Sequence, residues 1–366
     1  MQIMKTSAIV YCENEFGKLD GKVANGLVRL SGKYKIVGII DSTKSGLDAG
    51  EYLDGIKNEI PIFQNFNKAI EILDSVPEYF IYGIAPLAPL LNNKEKKVIY
   101  TAIKSGMHIV NGLPEFLSDD AVCMELANKY NVSVFDVRKP PSKENLHHFT
   151  GKIRDVQIPI VKISGTDCAV GKRTTALKLV EALKNKGLNA IFVTTGQTGI
   201  LQGSKYGIAI DVLSSGFATG EVENAILEAM KEQPDIIVVE GQGALSHPAF
   251  TSSSAILRGA MPKAIVLQHP PKRRTRCDFP DILMPTLESE IKMLETFSGS
   301  KVIAITINHE DMNDEEVEDI TKAYEEKYQL PVTDVLKNDC GKLVEKLQEI
   351  FPDLIRVNPL LCQSQE

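Results

Sequence analysis

Apolar runs and amphipathic segments alternate along the first part of the chain. The runs have the length of buried strands, and between them apolar residues return every three or four positions, as on one face of a helix. The predicted strands are Ser7–Tyr11, Lys35–Ile40, Tyr79–Ile84, His108–Val110 and Val132–Phe135. The predicted helices are Lys22–Leu30, Phe66–Leu73, Lys96–Lys104 and Asp120–Lys129. Strands that alternate with helices predict a parallel sheet covered on both faces.

The same alternation resumes after a break that is rich in proline and charge. Arg138–Lys152 contains the pair Pro140–Pro141 and few apolar residues, which is typical of a linker. We place the boundary between residues 138 and 158 and predict domains at 1–145 and 146–366. The strands predicted beyond it are Ile160–Ser164, Ala190–Thr194, Ile236–Glu240, Ala264–Gln268 and Lys301–Ile307. The helices predicted there are Thr174–Lys186, Val222–Ala229, Glu315–Tyr328 and Lys342–Phe351.

The turn between Ile160–Ser164 and the helix that follows has the pattern of a phosphate-binding loop. It joins an apolar strand to an amphipathic helix, so that loop amides and the helix N-terminus converge on an anion while a lysine adds a point charge. We predict that it binds a phosphorylated ligand. The residues assigned to this ligand are Gly165, Thr166, Asp167, Gly171, Lys172, Arg173, Thr174 and Thr175.

Two departures from the usual motif weaken the case for nucleotide hydrolysis. Arg173 stands after the lysine, where a serine or threonine hydroxyl normally coordinates magnesium. A threonine comes only one position later, and five residues, not the usual four, separate Gly165 from Gly171. The loop therefore predicts phosphate binding more firmly than phosphate transfer.

Candidate catalytic residues follow the strand Ile236–Glu240. A buried strand that ends in an acid beside a phosphate loop has the layout of a Walker-B element, and open α/β sheets bind ligands at this edge. Three roles are open for Glu240: orienting a magnesium-bound water, taking a proton from a nucleophile, or capping the strand end. His247 is either a second candidate base or an ordinary residue of a His-Pro turn. No residue is assigned to a metal ion.

Polar residues after two other strands are candidates for substrate binding. A small glycine-containing turn follows Ala190–Thr194, and a basic stretch follows Ala264–Gln268. Guanidinium groups suit bidentate contacts with carboxylate or phosphate. The alternatives are an ordinary turn and a solvated charged surface. The residues assigned to substrate are Gln197, Gln242, Arg273, Arg274 and Arg276.

The first domain carries only a partial signal for a dinucleotide. Asp41 ends the second predicted strand, where such folds place a ribose-binding carboxylate. The turn Cys12–Gly21, however, lacks the GxGxxG spacing, and its acidic residues would repel a pyrophosphate. We therefore interpret Asp41 as a helix cap or turn residue.

Composition argues against several partners. The net charge of −7 comes without a concentrated basic face, so nucleic acid is not expected. No apolar run approaches the roughly 20 residues that span a bilayer and no signal-peptide core is present, so we expect a cytoplasmic protein with no membrane partner.

The cysteines are Cys12, Cys123, Cys168, Cys277, Cys340 and Cys362. They show no CxxC pair, which indicates free thiols in a reducing compartment. Two sheets with free edges are compatible with a homo-oligomer.

Two motifs carry a resemblance to known enzymes. Gly165–Thr175 together with Val239–Gly241 resembles the dethiobiotin synthetase group of P-loop enzymes. The chain from roughly residue 5 to residue 350 is similar to a narrower family that includes D-glutamate N-acetyltransferases and carries GTDCxVGKxTT and VEGQGxLxHP. The resemblance implies an α/β fold class, with a Rossmann-like N-terminal domain followed by a P-loop NTPase-like three-layer α/β domain with a mostly parallel sheet.

The narrower resemblance implies transfer of acetyl from acetyl-CoA to the amine of an acidic amino acid, with D-glutamate as the small-molecule substrate. CoA phosphates fit the loop without hydrolysis, and Arg173 then adds a phosphate contact. Glu240, or His247 in its place, removes a proton from the amine. An arginine of the basic stretch holds a substrate carboxylate, and amides of Gly241–Gly243 stabilise the oxyanion. Cys168, at a helix N-terminus, is either an acetyl carrier or a small loop residue.

Two rival hypotheses belong to other functional classes. An ATP- and magnesium-dependent ligase or kinase resembling dethiobiotin synthetase would place Lys172 on the phosphates, with Thr174 and Glu240 at magnesium. A nucleotide or metabolite sensor would use the first domain as a regulatory module. The clustering of Glu240, Gln242 and His247 at one strand edge exceeds what a sensor needs.

Overall fold

The computed structural model describes residues 5–86 and 90–355, and the chain divides into two compact units. One unit comprises Met1–Ser142 and Gln197–Ser204, and the other comprises Lys143–Gly196 and Lys205–Glu366. The chain therefore leaves the second unit once to contribute a short segment to the first. Gln202 ties this segment down within the first unit, because its side-chain amide donates to the carbonyl oxygens of Gly26 (2.7 Å) and Leu30 (2.8 Å).

The first unit is built on a parallel sheet. Its strands are β1 (Thr6–Tyr11), β2 (Tyr34–Ile40), β3 (Ile62–Phe63), β4 (Tyr79–Tyr82), β5 (His108–Asn111) and β6 (Val134–Asp136). Its helices before the break are α1 (Lys22–Arg29), α2 (Ala49–Asp54), α3 (Phe66–Ile72), α4 (Asn93–Lys104) and α5 (Ala121–Lys129). The order β3-β2-β1-β4-β5-β6, with parallel pairing throughout, is that of a dinucleotide-binding Rossmann sheet. The predicted Rossmann-like fold is confirmed.

Side-chain caps explain where several of these helices begin. Asp48, Asn65 and Asp120 each accept a hydrogen bond from a backbone amide in the first turn of α2, α3 and α5. Asn92 and Glu95 form a reciprocal capping box at the start of α4. Such caps satisfy amides that have no partner inside the helix and stabilise a helix by about 1 kcal/mol each.

Asp41 is a turn residue, as predicted. Its carboxylate accepts hydrogen bonds from the amides of Phe16 (3.1 Å) and Thr43 (2.9 Å) and from the Thr43 hydroxyl (2.6 Å). Lys44 pairs with it at 3.3 Å. Burial by itself raises the pKa of Asp41, but the hydrogen bonds from Thr43 and Phe16 outweigh it and hold the pKa below the ordinary value. These contacts engage the Asp41 carboxylate within the protein, as expected of a turn residue.

The second unit contains a larger parallel sheet and a hairpin. Its strands are β7 (Ile160–Gly165), β8 (Ala190–Thr194), β9 (Tyr206–Gly207), β10 (Ile236–Glu240), β11 (Ala264–His269), β12 (Thr275–Arg276), β13 (Phe279–Leu283), β14 (Lys301–Ile307) and β15 (Val332–Thr333). The remaining helices are α6 (Lys172–Asn185), α7 (Gln197–Leu201, in the first unit), α8 (Ser215–Met230), α9 (Ser252–Ala260), α10 (Leu287–Ser298), α11 (Asp314–Tyr328) and α12 (Gly341–Ile350). Strands β12 and β13 pair in antiparallel fashion outside the main sheet.

Three layers form the core of the second unit. The sheet has the order β15-β14-β11-β7-β10-β8-β9 and is parallel throughout. Apolar side chains of α6 and α12 cover one face, and those of α8, α9, α10 and α11 cover the other. A strand buried on both faces needs apolar residues at consecutive positions, which is why β10 and β11 begin with continuous apolar runs and β7 is largely apolar. The predicted three-layer P-loop-type fold is confirmed.

One charged residue interrupts the apolar strand β7. The side chain of Lys162 is fully buried, and its ammonium group donates to the hydroxyls of Ser164 (2.6 Å) and Ser253 (3.4 Å). Burial, aided by the nearby charge of Lys172, lowers the pKa of Lys162 from 10.5 to about 7.

The cysteines of the described residues are free thiols, namely Cys12, Cys123, Cys168, Cys277 and Cys340. Cys362 lies outside the described residues. Across residues 5–86 and 90–355, the helices are too short or too polar to cross a bilayer.

Candidate functional site

Three neighbouring strands end at the same edge of the second sheet and bring the predicted site together. Strand β7 lies between β10 and β11, and all three run in the same direction. Their carboxyl ends lead into three segments: Gly165–Gly171, which we call the phosphate loop, Gly241–His247, which we call the acidic-strand loop, and Pro270–Cys277. Ligands of open α/β sheets bind at such an edge.

Side chains engage the carbonyl groups in the middle of the phosphate loop. Each carbonyl oxygen from Thr166 to Val170 accepts a hydrogen bond. Arg276 donates to Thr166 (2.9 Å) and Lys172 donates to Asp167 (2.5 Å). Arg273 donates to Cys168 (2.8 Å) and Ala169 (3.4 Å), and Asn308 donates to Val170 (3.0 Å). In a planar trans peptide the N–H points away from the C=O. Because the carbonyls face these donors, the amides point away from them. The amide of Cys168 donates to the Asp167 carboxylate, so the amides that come after it, in Ala169–Gly171, are the ones arranged as an anion-binding nest.

Backbone conformation and close packing explain the glycines of this loop. Gly171 has φ +102°, in the left-handed region that favours glycine, and it immediately precedes α6. Gly165 has no room for a side chain, because a β-carbon there would lie 2.8 Å from both Lys172 Cδ and Val170 Cγ2. The lysine side chain is therefore packed directly beneath the loop.

Arg273 and Arg276 lie beneath the phosphate loop and are bonded to it. Arg273 Nη1 is 3.1 Å from Asp167 Oδ2, and the same guanidinium pairs with Glu310. Arg276 Nη1 lies 3.6 Å from Asp167 Oδ1, and its Nη2 donates to the Ser246 hydroxyl at 2.9 Å. Both side chains are more than nine-tenths buried. The structure thus does not place these two arginines as free ligands for a substrate.

Arg274 differs from its two neighbours. Its side chain is exposed, and its backbone carbonyl accepts from the amide of Met284 within the hairpin segment. Of the three predicted arginines, it is the one whose guanidinium faces solvent. The spacing of the basic stretch did not reveal this difference.

Asp167 joins the phosphate loop to the hairpin. Its buried carboxylate accepts from the amide of Cys277 at 2.8 Å and pairs with Arg273. Burial raises the pKa of Asp167, but the amides of Cys277 and Cys168 and the Arg273 guanidinium outweigh it and lower the pKa. Asp167 therefore holds the loop in shape as a buried carboxylate.

The two buried threonines predicted to bind the cofactor point to β11. Thr166 Oγ1 and His269 Nδ1 are 2.9 Å apart, and Thr175 Oγ1 donates to Gln268 Oε1 at 2.5 Å. Arg173 and Thr174 occupy the first turn of α6 and are half-buried. These last two residues therefore lie at the helix N-terminus, next to the loop amides, where the sequence predicts a ligand.

Glu240 is held at the end of β10 by its neighbours on β8. Its Oε2 accepts from the Thr194 hydroxyl (2.5 Å) and from the amide of Thr195 (3.1 Å). Gln242 donates to the hydroxyl of the same Thr195 at 3.3 Å. A β-carbon at Gly241 would lie 2.1 Å from the Ile163 carbonyl oxygen and 3.4 Å from Lys172 Cδ, so the acidic-strand loop passes directly against β7 and the Lys172 side chain.

His247 lies next to the phosphate loop, with its Nε2 near the Asp167 carboxylate. Its Nδ1 accepts from the amide of Ala249 at 3.2 Å, so the proton of the neutral ring resides on Nε2. That buried Nε2 lies 3.6 Å from Asp167 Oδ1 and has no hydrogen-bond partner. Burial and the charge of Arg276 lower the pKa of His247. With its lone pair already engaged at Nδ1, the ring is not placed to act as a base.

Asp167, Cys168 and His247 have the composition of a metal site but not its geometry. One ligand atom from each lies within 4.8 Å of the others. A metal at Nε2 of His247 would require the proton on Nδ1, where it would face the Ala249 amide. In addition, Asp167 is already paired with guanidinium groups. These residues do not suit a metal ion.

Gln197 belongs to the first unit. It begins α7, and a β-carbon at Gly112 would lie 2.8 Å from its Oε1. The sequence placed Gln197 next to the strand end of β8, but the chain crosses into the other unit at that point. Its predicted contact with substrate stays a prediction.

Several residues of the site were missed by the sequence analysis. These are Gln268, Cys277, Asn308 and Glu310, which bond to the phosphate loop or to Arg273. Asn308 and Glu310 come directly after β14, so the rule that ligands gather at strand ends could have drawn attention to them. No local sequence pattern identifies Cys277, because its sulfur contacts the phosphate loop only where the hairpin places it.

Comparison with known proteins places the chain in a family. Two family models match it: the P-loop domain of unknown function DUF1611_C at residues 147–344, and the Rossmann-like DUF1611_N at residues 42–140. A D-glutamate N-acetyltransferase from a Pseudoalteromonas species is 32% identical over 274 residues, which cover 73% of this chain and 80% of that protein. One from Tritonibacter scottomollicae is 28% identical over 287 residues, covering 74% and 81%.

A solved structure is similar over almost the whole chain. The crystal structure of a DUF1611 family protein from Anabaena variabilis has a TM-score of 0.87 and 28% identity, and the match covers 94% of this chain and all of that one. The chain belongs to the DUF1611 family, with its Rossmann-like and P-loop domains.

Proposed function

We propose that the protein is an N-acetyltransferase that moves the acetyl group of acetyl-CoA to the amine of D-glutamate. The observation that carries the proposal is a phosphate loop whose carbonyl oxygens are held by side chains and whose magnesium-binding position is occupied by Arg173. Such a loop suits a ligand whose phosphates are held and not cleaved. The names of the two relatives supply the reaction class and the acceptor.

The phosphate loop and the start of α6 would hold the CoA phosphates. The nest amides and the helix N-terminus favour an anion, and Lys172 brings a positive charge beneath it. Burial lowers the pKa of Lys172, while the nearby Cys168 and Asp167 oppose that effect. A bound phosphate would add a further negative charge and stabilise the ammonium form.

Glu240 is the candidate base. A free amino acid arrives largely as an ammonium ion, and its amine must lose a proton before it attacks the thioester. The donors Thr194 and Thr195 hold one oxygen of the Glu240 carboxylate. With His247 placed as a donor, the base role falls to Glu240 alone. Amides of Gly241–Gly243 would stabilise the oxyanion that forms on the acetyl group.

The closeness of the two loops sets a condition on the cofactor. Gly241 packs against the Lys172 side chain, so the phosphates and the reacting acetyl group would lie near each other. The pantetheine arm must then bend back over the phosphate loop. Arg274 and Gln242 remain as candidates in the second unit for holding the carboxylates of the substrate.

A mass-spectrometric assay tests the proposal. Purified protein is incubated with acetyl-CoA and D-glutamate in the absence of ATP, with L-glutamate in parallel. We expect N-acetylglutamate from the D-enantiomer. Product from the L-enantiomer alone would overturn the acceptor. No product without ATP, but turnover when ATP and magnesium are added, would support the rival ligase or kinase, with Thr174 and Glu240 at the metal.

A further inference from the structure

The phosphate loop contains a nucleophile that the proposed function leaves unused. Cys168 is half-buried, and its sulfur, the imidazole of His247 and the carboxylate of Asp167 approach one another within 4.8 Å. A β-carbon at Gly243 would lie 3.7 Å from the same sulfur. The thiol therefore faces the acidic-strand loop, at whose start Glu240 lies.

Two further groups near Cys168 favour a thiolate at that position. The Cys277 thiol on the hairpin donates to the Cys168 carbonyl oxygen at 3.7 Å, and the effect of this thiol on the neighbouring Cys168 sulfur is the largest influence that lowers the pKa of Cys168. Burial and the carboxylates of Asp278 and Asp167 oppose this effect, and the charge of Lys172 supports it; the net result is a lowered pKa. The same contact raises the pKa of Cys277. Cys168 is thus the member of the pair that ionises and Cys277 the member that donates.

The unpartnered Nε2–H of His247 points to an anion in the same place. The His247 side chain has no exposed surface, and a buried donor without an acceptor costs about 1–3 kcal/mol. The facing carboxylate oxygen, Asp167 Oδ1, lies 3.6 Å away, beyond hydrogen-bond distance, and also has no hydrogen-bond partner. The ring is fixed by its stacking on Phe250, with centroids 4.6 Å apart, and by the Ala249 amide. A negative charge that forms or resides next to Nε2 would satisfy this donor.

We propose that Cys168 is the nucleophile that carries the acetyl group between CoA and the amine. This inference rests on the proposed function. His247 and Cys277 act as positioning residues that donate hydrogen bonds to the thiolate or to the oxyanion formed on the acetyl carbon.

The reaction then has two balanced halves. The Cys168 thiolate attacks the acetyl carbonyl carbon, a new S–C bond forms, and the C–S bond to CoA breaks, so that CoA leaves as its thiolate and takes a proton from water. In the second half, the neutral amine attacks the S-acetyl carbon and the bond to Cys168 breaks. The electron pair returns to the Cys168 sulfur. Glu240 passes to water the first proton, which it took from the ammonium form, and then accepts the second proton that nitrogen loses.

The test is a search for the acetylated enzyme. The full-length protein is mixed with acetyl-CoA without any amino acid, quenched in acid, digested and analysed by mass spectrometry. We expect one acetyl group on the peptide that contains Cys168, and its disappearance when D-glutamate is added before quenching. Labelled CoA should exchange into acetyl-CoA in the absence of acceptor, which a direct transfer mechanism does not allow.

Variants separate a covalent role from a structural one. Cys168→Ala should lower kcat by about a thousandfold or more and abolish the exchange, while Cys340→Ala, a buried cysteine in the same unit, serves as the matched control and should keep both. Thermal melting and circular dichroism check that each variant is folded. Cys277→Ser, which keeps a donor, should retain more activity than Cys277→Ala.

The outcomes distinguish this inference from the proposed function. Full turnover by folded Cys168→Ala overturns the covalent role while the acetyltransferase stands. Acetylated Cys168 in a protein that makes no N-acetylglutamate supports the covalent role and assigns the acetyl group to another amine. If the folded wild type gives neither acetylated Cys168 nor N-acetylglutamate, both the covalent role and the proposed function are overturned.

Discussion

Arg276 donates a hydrogen bond to the carbonyl oxygen of Thr166 at 2.9 Å, and its other terminal nitrogen donates to the Ser246 hydroxyl at 2.9 Å. One buried guanidinium thus connects the first peptide of the phosphate loop to the acidic-strand loop. The N–H and C=O groups of a peptide point in opposite directions, so the side chains that hold the loop carbonyls also orient the loop amides.

Replacing this arginine is expected to weaken cofactor binding. Arg276→Met keeps much of the side-chain volume but frees the Thr166 carbonyl. Because a hydrogen bond to a charged group contributes about 1.5–3 kcal/mol, the affinity for CoA should fall by about tenfold or more. Calorimetry measures this affinity. Lys272→Met removes a positive charge from the exposed surface nearby and is the matched control. Equal CoA affinity in wild type and folded Arg276→Met would mean that the loop keeps its shape without this bond.

Glu240→Gln is expected to affect turnover and not binding. The amide keeps the size of the side chain but accepts no proton at neutral pH, so kcat should fall by about 10²- to 10⁴-fold while KM changes little. Glu315→Gln, on the exposed side of α11, is the control. An unchanged kcat would remove Glu240 from the base role, and a large rise in KM alone would make it a binding residue.

Lys162 is expected to make stability depend on pH. Its pKa is lowered from 10.5 to about 7 in the folded protein, so between these values the unfolded chain binds a proton that the folded chain does not. Stability contributed by this group should therefore rise with pH across that window, by about 1.4 kcal/mol per pH unit.

The variant Lys162→Met tests this linkage. It removes the buried ammonium, so its free energy of unfolding in urea should exceed that of wild type at pH 7, and the difference should shrink as the pH is raised to 9. Lys178→Met, at an exposed position of α6, should follow the wild-type profile. Parallel profiles for wild type and Lys162→Met would show that the ammonium is accommodated without cost.

Metal removal is expected to leave acetyl transfer intact. The proton on Nε2 of His247 and the guanidinium groups at Asp167 disfavour a cation at Cys168, and Arg173 stands where a magnesium ligand would be. Activity after dialysis against EDTA should equal that of untreated protein. A loss restored by zinc would reassign Asp167, Cys168 and His247 as ligands, and a loss restored by magnesium would favour the ATP-dependent alternative.

Much of the fold follows from local pattern. Mostly apolar runs such as β7, β10 and β11 are recognisable because a strand buried on both faces needs apolar residues at consecutive positions. The short edge strands β3, β9 and β15 have two residues each, too few for any periodicity, and they were not predicted. They form because a neighbouring strand offers free hydrogen-bonding groups, which is a tertiary condition.

The sequence by itself determined that a phosphate loop exists, that an acid follows a neighbouring strand, and that both lie in an α/β fold. These depend on contiguous residues: strand, turn glycines and helix start are encoded locally. The sequence did not determine which arginines remain available to a substrate. Arg273 and Arg276 are engaged in contacts with Asp167, more than 100 positions away in the chain.

Tertiary structure also decided the roles of His247 and Cys168. The Ala249 amide assigns the His247 proton to Nε2, and the hairpin brings the Cys277 thiol, 109 residues distant, to the phosphate loop. Protonation and nucleophilicity depend on which donors and charges lie within a few ångströms, and those neighbours are set by packing and not by spacing along the chain.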